Sequence, residues 1–211
     1  MNESLAEERL RLARWLRGLD PTDWAVPSLC AGWSCREVLA HLVTPFEASW
    51  PTVGLSMLRR GPAGAMDVWA RALGERPIPE LLASLERHAA STARPPGLPA
   101  TAPLTDVLVH GLDIRWAITG PPPTVDHHDP GRVRACLEFL TSWRALGTFL
   151  PPGRLRAVRL VASDTEFSFG SGRTITGPAL ALAAGMLGRR PAYRLLHGDG
   201  LSSWTEAADS S

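Results

Sequence analysis

The chain has 211 residues, 45% of them apolar and 20% charged, with a formal net charge of +1. This composition excludes intrinsic disorder and leaves no electrostatic footprint for nucleic acid. No apolar run approaches the roughly 20 residues that span a bilayer.

The charged N-terminus, MNESLAEERLRLARWLRGLD, contains no apolar signal-peptide region. Residues 4–19 read as an amphipathic helix. Leu5, Leu12, Trp15, Leu16 and Leu19 lie on or near one stripe, and Glu7, Glu8 and Arg9 are expected away from it. Asp20-Pro21 stops it. After a loop with Pro27 and Gly32, Ser34-Cys35-Arg36-Glu37 matches a capping box. It opens a helix running toward Trp50 with a bend at Pro45. Residues 51–79 are punctuated by Gly61-Pro62 and Gly64, with a short helix over 65–74. Pro79 stands at a first helical position, and its helix runs to about Ala93 with Leu81, Leu82 and Leu85 inward. The next helix spans Pro103 to Thr119 and stops at Gly120-Pro121. Asp129-Pro130 reads as an N-cap and first-turn proline. The helix they open carries Val133, Leu137, Leu140 and Trp143 and ends before Pro151.

The texture then changes. Leu155–Val161 and Glu166–Phe169 read as strands, and Arg173–Thr176 is expected to pair back as a hairpin across Gly170-Ser171-Gly172. Gly177-Pro178 opens an Ala/Leu-rich helix to about Leu187. The expectation is an α+β chain, with a helical part over 1–150 and a small α+β part over 153–205. Three cysteines (Cys30, Cys35, Cys136) in a chain too large to need stapling fit a reducing cytoplasm. All basic residues are arginine, which excludes a Schiff-base lysine. There is no P-loop, no GxGxxG after a strand and no GxSxG elbow.

Chemistry concentrates in Asp106-Val107-Leu108-Val109-His110-Gly111-Leu112-Asp113. On a helix, 106, 110 and 113 form one polar stripe on an otherwise apolar element. Such groups face water or meet a compensating partner. An Asp and a His one turn apart can ligate one metal ion, and His41, flanked by Val38 and Leu42, can supply a third donor. Two nitrogens and one carboxylate oxygen suit zinc, nickel or iron(II) and leave positions open. The plain alternatives are hydrogen-bonded core histidines, an Asp106–arginine pair, and Asp113 capping a neighbouring helix. Cys30, Cys35 and Cys136 read as structural. His127-His128 reads as solvated, His88 as a boundary residue and His197 as a helix-end residue.

Several segments together resemble a family. They are Asp23-Trp24, Pro27-Ser28-Leu29-Cys30-Ala31-Gly32-Trp33-Ser34 and Val38-Leu39-Ala40-His41-Leu42. They look like the N-terminal signature of mycothiol-dependent maleylpyruvate isomerase-like proteins, which are DinB/YfiT-like metal-binding helical bundles. Val158 to Asp164, Gly172, Gly177-Pro178-Ala179, Leu187-Gly188-Arg189 and Gly198-Asp199-Gly200 look like the small C-terminal domain of those proteins.

The resemblance implies a DinB-like four-helix bundle followed by a small α+β domain. It implies a divalent metal, zinc before nickel or iron, on His41, Asp106 and His110, with Asp113 behind the ligands. In the isomerase the middle ligand is a glutamate, and here Asp106 is one methylene shorter. The implied activity is a mycothiol-type thiol S-transferase or isomerase acting on a small electrophile. Arg189, Arg190 and Arg194 are candidates to hold an anionic group, and such bundles can form homodimers. The alternative is a non-catalytic ligand-binding or regulatory protein with a degenerate site.

Overall fold

The computed structural model describes residues 2–95, 97–120, 128–146, 149–150 and 153–209, without the side chains of Asn2, Trp50, Pro62 and residues 206–209. The expectation for His127 lies outside the described residues. Eight α-helices, two 3₁₀ segments and a three-stranded sheet make up the described elements. The chain is α+β, as its texture indicates. No helix among the described residues is long and apolar enough to cross a membrane.

Contacts divide the chain into two compact units, 1–120 and 121–211. The first unit holds α1 (Asn2–Leu16), α2 (Cys35–Glu47), α3 (Trp50–Gly74), α4 (Ile78–Arg87) and α5 (Ala102–Thr119). Helix α1 packs on α4 and α5, and α2 packs on the same two, which closes a four-helix ring; α3 lies along α2. The core is built by Leu5, Leu12 and Leu16 of α1, Val38 and Leu39 of α2, Leu81 and Leu85 of α4, and Leu104 and Leu108 of α5, each at most 5% exposed. Truncating any one of these leucines to alanine costs about 2–5 kcal/mol.

Two expectations about this unit need correction. Glu8 and Arg9 are buried, at 3% and 2% exposed. Positions 5, 8, 9, 12 and 16 share the i, i+3, i+4 face, so both residues sit among the leucines. Glu8 pairs with Arg11 at 2.9 Å. Arg9 Nη1 donates to the carbonyls of His88, Ala89 and Ser91 at 3.1, 2.9 and 2.6 Å, capping the end of α4. The second correction is that helix extends over 50–74 on both sides of a break at Gly61, rather than over 65–74 alone. Gly61, at φ 72°, takes up the kink inside it.

Helix α2 starts as its sequence dictates. Ser34 N–H donates to Glu37 Oε2 at 2.7 Å, and Glu37 N–H donates to Ser34 Oγ at 3.4 Å. Pro45 is accommodated within its last turn.

The second unit holds α6 (Pro130–Leu140), β1 (Val158–Ala162), β2 (Ser168–Gly170), β3 (Arg173–Gly177), α7 (Ala179–Met186) and α8 (Leu201–Asp209). Asp129 caps α6 through the Arg132 N–H. Helix α6 packs on α7, so the compact units divide at Gly120/Pro121 rather than near 150, where the composition changes. Trp143 lies beyond the helix rather than on it, because α6 ends at Leu140, and it is 73% exposed.

The sheet also differs from the expected hairpin. Its order is β2-β1-β3, with β1–β2 antiparallel and β1–β3 parallel. Gly170-Ser171-Gly172 reverses the chain but crosses over the N-terminal end of β1, so β3 pairs with β1 and not with β2. Gly170 and Gly172 have φ of 78° and 125°, and a Cβ on either would run into the Val158 or Ala157 carbonyl oxygen. Helix α7 is buried on every side, in keeping with its Ala/Leu composition, and Asp164 Oδ1 accepts from its Ala179 N–H at 2.8 Å.

Candidate metal centre

The polar stripe of α5 meets α2 inside the first unit. One donor atom each from His41, Asp106 and His110 lie within 4.8 Å of one another. A tetrahedral site with bonds of about 2.1 Å has edges of about 3.4 Å, so modest side-chain movement brings these donors into coordination range. The shorter side chain of Asp106 still places a carboxylate oxygen within 4.8 Å of a nitrogen of each imidazole.

The surroundings favour ligation over a plain hydrogen-bonded core. His41 Nδ1 is buried with no hydrogen-bond partner. An imidazole nitrogen in that position costs free energy unless it gains a ligand, as metal binding would provide. Burial pushes the His41 pKa down to about 3, with the neighbouring His110 adding to the shift. The ring is thus neutral at physiological pH and its lone pair is free to donate. Burial raises the Asp106 carboxyl to about 6, against the pull of His110 and Arg9. A divalent cation would relieve that desolvated carboxylate.

Asp113, fully buried, takes the hydrogen bond of His110 Nδ1 at 3.0 Å, while His110 is 12% exposed. With Asp113 ionised, His110 donates from Nδ1, so the tautomer leaves Nε2 unprotonated. This is how a carboxylate orients a metal-binding histidine.

A loop closes over these rings. Leu29 N–H donates to the Asp113 carbonyl at 3.3 Å, tying the loop to α5. Trp33 stands 5.1 Å from His41 and 6.4 Å from His110, ring centre to ring centre. Its Nε1 donates to Asp67 Oδ1 at 2.9 Å, and Arg71 bonds Asp67, Glu37 and the Gly32 carbonyl. The loop is therefore fastened to α3 as well.

The same loop supplies a second donor group. Cys30, His110 and Asp113 also offer atoms within 4.8 Å of one another. Sequence reasoning read Cys30 as structural, and it also missed Trp33 and Arg9. Only Arg9 carried a readable signal, its place on the buried stripe of α1. Cys35 and Cys136 are buried, Cys30 is half-buried, and none of the three is in a disulfide. Burial lifts the Cys35 thiol to about 11, which makes it a poor nucleophile.

The remaining candidates belong to neither donor group. His88 ends α4 and stacks on Phe46 at 5.0 Å. The His197 backbone pairs with Thr176 of β3. In the second unit, Arg189 is half-buried and donates to the Leu187 carbonyl at 2.8 Å, whereas Arg190 and Arg194 are exposed on a 3₁₀ segment, Arg190–Leu195.

Comparison with known proteins agrees with the helical unit. No curated protein and no solved structure matches the chain. The family model described as the mycothiol maleylpyruvate isomerase N-terminal domain matches residues 5–115, just over half of the chain and nearly all of the first unit. The match runs from the first turns of α1 to Arg115, beyond Asp113, and so contains every residue of both donor groups. This chain belongs to the mycothiol maleylpyruvate isomerase N-terminal domain family.

Proposed function

We propose that the protein holds a divalent metal, zinc before nickel or iron, on His41, Asp106 and His110, and uses it to activate a small thiol of the mycothiol type toward an electrophilic substrate. The observation that carries this reading is the convergence of those three donors, and His41 also has a buried Nδ1 without a hydrogen-bond partner. A bound divalent metal with open positions would lower the pKa of a coordinated thiol, so that thiolate is present at neutral pH. His41, held neutral by burial, would donate without first losing a proton. Asp106 would neutralise part of the cation's charge, and Asp113 would fix the direction of the His110 lone pair. Trp33 would exclude water from one side of the histidine pair.

Transfer of the thiol to the electrophile gives an S-transferase. Reversible addition across a conjugated cis-alkene, with rotation before elimination, gives an isomerase. The second unit contributes exposed Arg190 and Arg194, with Arg189, as candidates to hold an anionic group. A cytoplasmic setting, where thiols stay reduced, suits this chemistry. The binding-protein alternative rests on the Asp-for-Glu change, and the reach of Asp106 into the cluster weighs against it.

The test is to load the protein with cobalt(II) and titrate in a low-molecular-weight thiol. The expected result is a thiolate-to-metal charge-transfer band that His110→Ala lacks. A cobalt spectrum unchanged by any thiol would remove thiol activation from the account.

A further inference from the structure

Cys30 has no part in the function proposed above, yet it stands in the second donor group with His110 and Asp113. The two groups share His110 and have different surroundings. His41 and Asp106 line a narrow cleft together with Arg9, and Cys30 and Asp113 are not among its walls. His110 Nδ1 lies 3.0 Å from Asp113 Oδ2. Bonds of about 2.0 Å to nitrogen and oxygen and about 2.3 Å to sulfur give tetrahedral edges of about 3.3–3.6 Å. The His110–Asp113 pair is already close to that separation, and the Cys30 sulfur has about 1.2 Å at most to close.

The loop holds that sulfur in place. Cys30 N–H donates to Ser28 Oγ at 3.1 Å, the Ser28 hydroxyl donates to the Trp33 carbonyl at 2.8 Å, and Trp33 N–H donates to the Cys30 carbonyl at 3.1 Å. With Leu29 bonded to the Asp113 carbonyl, a fixed turn presents the thiol to α5. Asp113 is fully buried and Cys30 half-buried, so the group opens on the Cys30 side. A carboxylate and a thiolate together carry two negative charges, which balance a divalent cation, whereas the His41–Asp106–His110 set carries one.

We infer that Cys30, Asp113 and Nδ1 of His110 form a second position for a thiophilic divalent ion of the zinc and cadmium type, which competes with the His41–Asp106–His110 position for the one lone pair of His110. A neutral imidazole has that lone pair on one nitrogen only. In the first position Nε2 donates and Asp113 holds the Nδ1 proton. In the second, Nδ1 donates, Nε2 carries the ring proton, and the Cys30 thiol releases its proton to solvent as the metal binds. Filling the second position gives up the His110–Asp113 hydrogen bond and a thiol proton. It therefore takes up added ion without keeping it through purification, and the first position remains the resident one. The sulfur donor selects soft ions over magnesium or calcium. The second position shares only His110 with the proposed function and needs neither His41 nor Asp106.

The test is a cadmium(II) titration of reduced protein, free of any small thiol, in the His41→Ala variant. That change removes a ligand of the first position and none of the second. The expected result is a thiolate-to-cadmium charge-transfer band in the ultraviolet that saturates at one ion per chain. Asp106→Asn should give the same band, and serves as the background if His41→Ala does not fold. Adding Cys30→Ser should abolish the band. Adding Asp113→Asn should weaken cadmium binding at least about 10-fold with circular dichroism unchanged. The parent should bind one cadmium ion tightly rather than two, because the positions share a lone pair.

No band in either background, or a band that survives Cys30→Ser, would overturn the second position. A cadmium affinity unchanged by Asp113→Asn would overturn its donor set. Two tightly bound ions in the parent would overturn the shared lone pair. The proposed function stands or falls on metal retained by the parent, and the band in the two backgrounds does not depend on it.

Discussion

Each unit ends a helix with an arginine, buried in the first unit and half-buried in the second, and the two are finished differently. In the second unit, Arg154 bonds the carbonyls of Met186, Gly185 and Trp204 and the Tyr193 hydroxyl, and stacks over the Trp204 ring at 4.8 Å. Every nitrogen of that guanidinium has a partner. In the first unit, Arg9 bonds three carbonyls after α4 and stacks over Phe46 at 4.8 Å, but its Nε is left buried and unpaired. The same device is closed in one place and open in the other. The open one shares its cleft with the other unpartnered buried polar atom, on His41. Unsatisfied polar groups thus gather where the donor cluster lies, and the second unit shows none among its described residues. Structure that serves only stability tends to be fully satisfied, whereas a site awaiting a ligand keeps polar groups in reserve.

The largest effect expected from this contrast is on stability. Arg154→Met strands three carbonyls and a hydroxyl, and should cost about 3 kcal/mol in denaturant unfolding. Arg9→Met also removes a desolvated charge, and should cost about half as much. Equal costs would mean that the open and closed arrangements are energetically alike, and the comparison would fail.

A second prediction concerns the His110–Asp113 pair. Asp113→Asn should leave the fold intact and weaken metal affinity about 10- to 100-fold, measured by competition with a chelator. An unchanged affinity would mean that Asp113 does not orient His110. Complete loss would make it a ligand and shift the centre toward Cys30.

The third prediction is a pH dependence of the metal-free protein. Asp106 titrates near 6 when folded and near 3.8 when unfolded, so the folded state holds its proton more tightly. That contribution is present in full below about 3.8, is lost as pH rises to about 6, and is constant above. Its size is on the order of 3 kcal/mol. Asp106→Asn should flatten this window in pH-resolved chemical denaturation. Metal-loaded protein should show the opposite slope, because protonating Asp106 releases the metal. A smaller effect serves as a control remote from the cleft: Ser34→Ala removes one half of the capping box and should cost about 1 kcal/mol without altering metal retention.

Local signals in the sequence were good guides where a physical rule acts over a few residues. The Ser34–Glu37 box, the Asp129 cap and the 106/110/113 stripe all appear in the structure. Three features depended on contacts between distant residues, which spacing does not reveal. The crossing of Gly170–Gly172 over β1 looks locally identical to a hairpin turn, and only the pairing partner distinguishes them. The exposure of Trp143 follows from where α6 stops. Trp33 and Cys30 come near the histidines because a loop bonds to α3 and α5, which no local pattern records. Arg9 was legible, since it falls on the stripe of Leu5, Leu12 and Leu16, but its charge argued against burial and the periodicity argued for it. Periodicity was the better guide, because backbone carbonyls met the charge.

The central claim is that His41, Asp106 and His110 hold a metal. The most direct measurement is the metal content of protein purified without a metal-affinity tag, alongside His41→Ala and His110→Ala. The account predicts close to one divalent ion per chain in the parent and none in either variant. No metal in the parent after reconstitution, or equal retention in both variants, would contradict it.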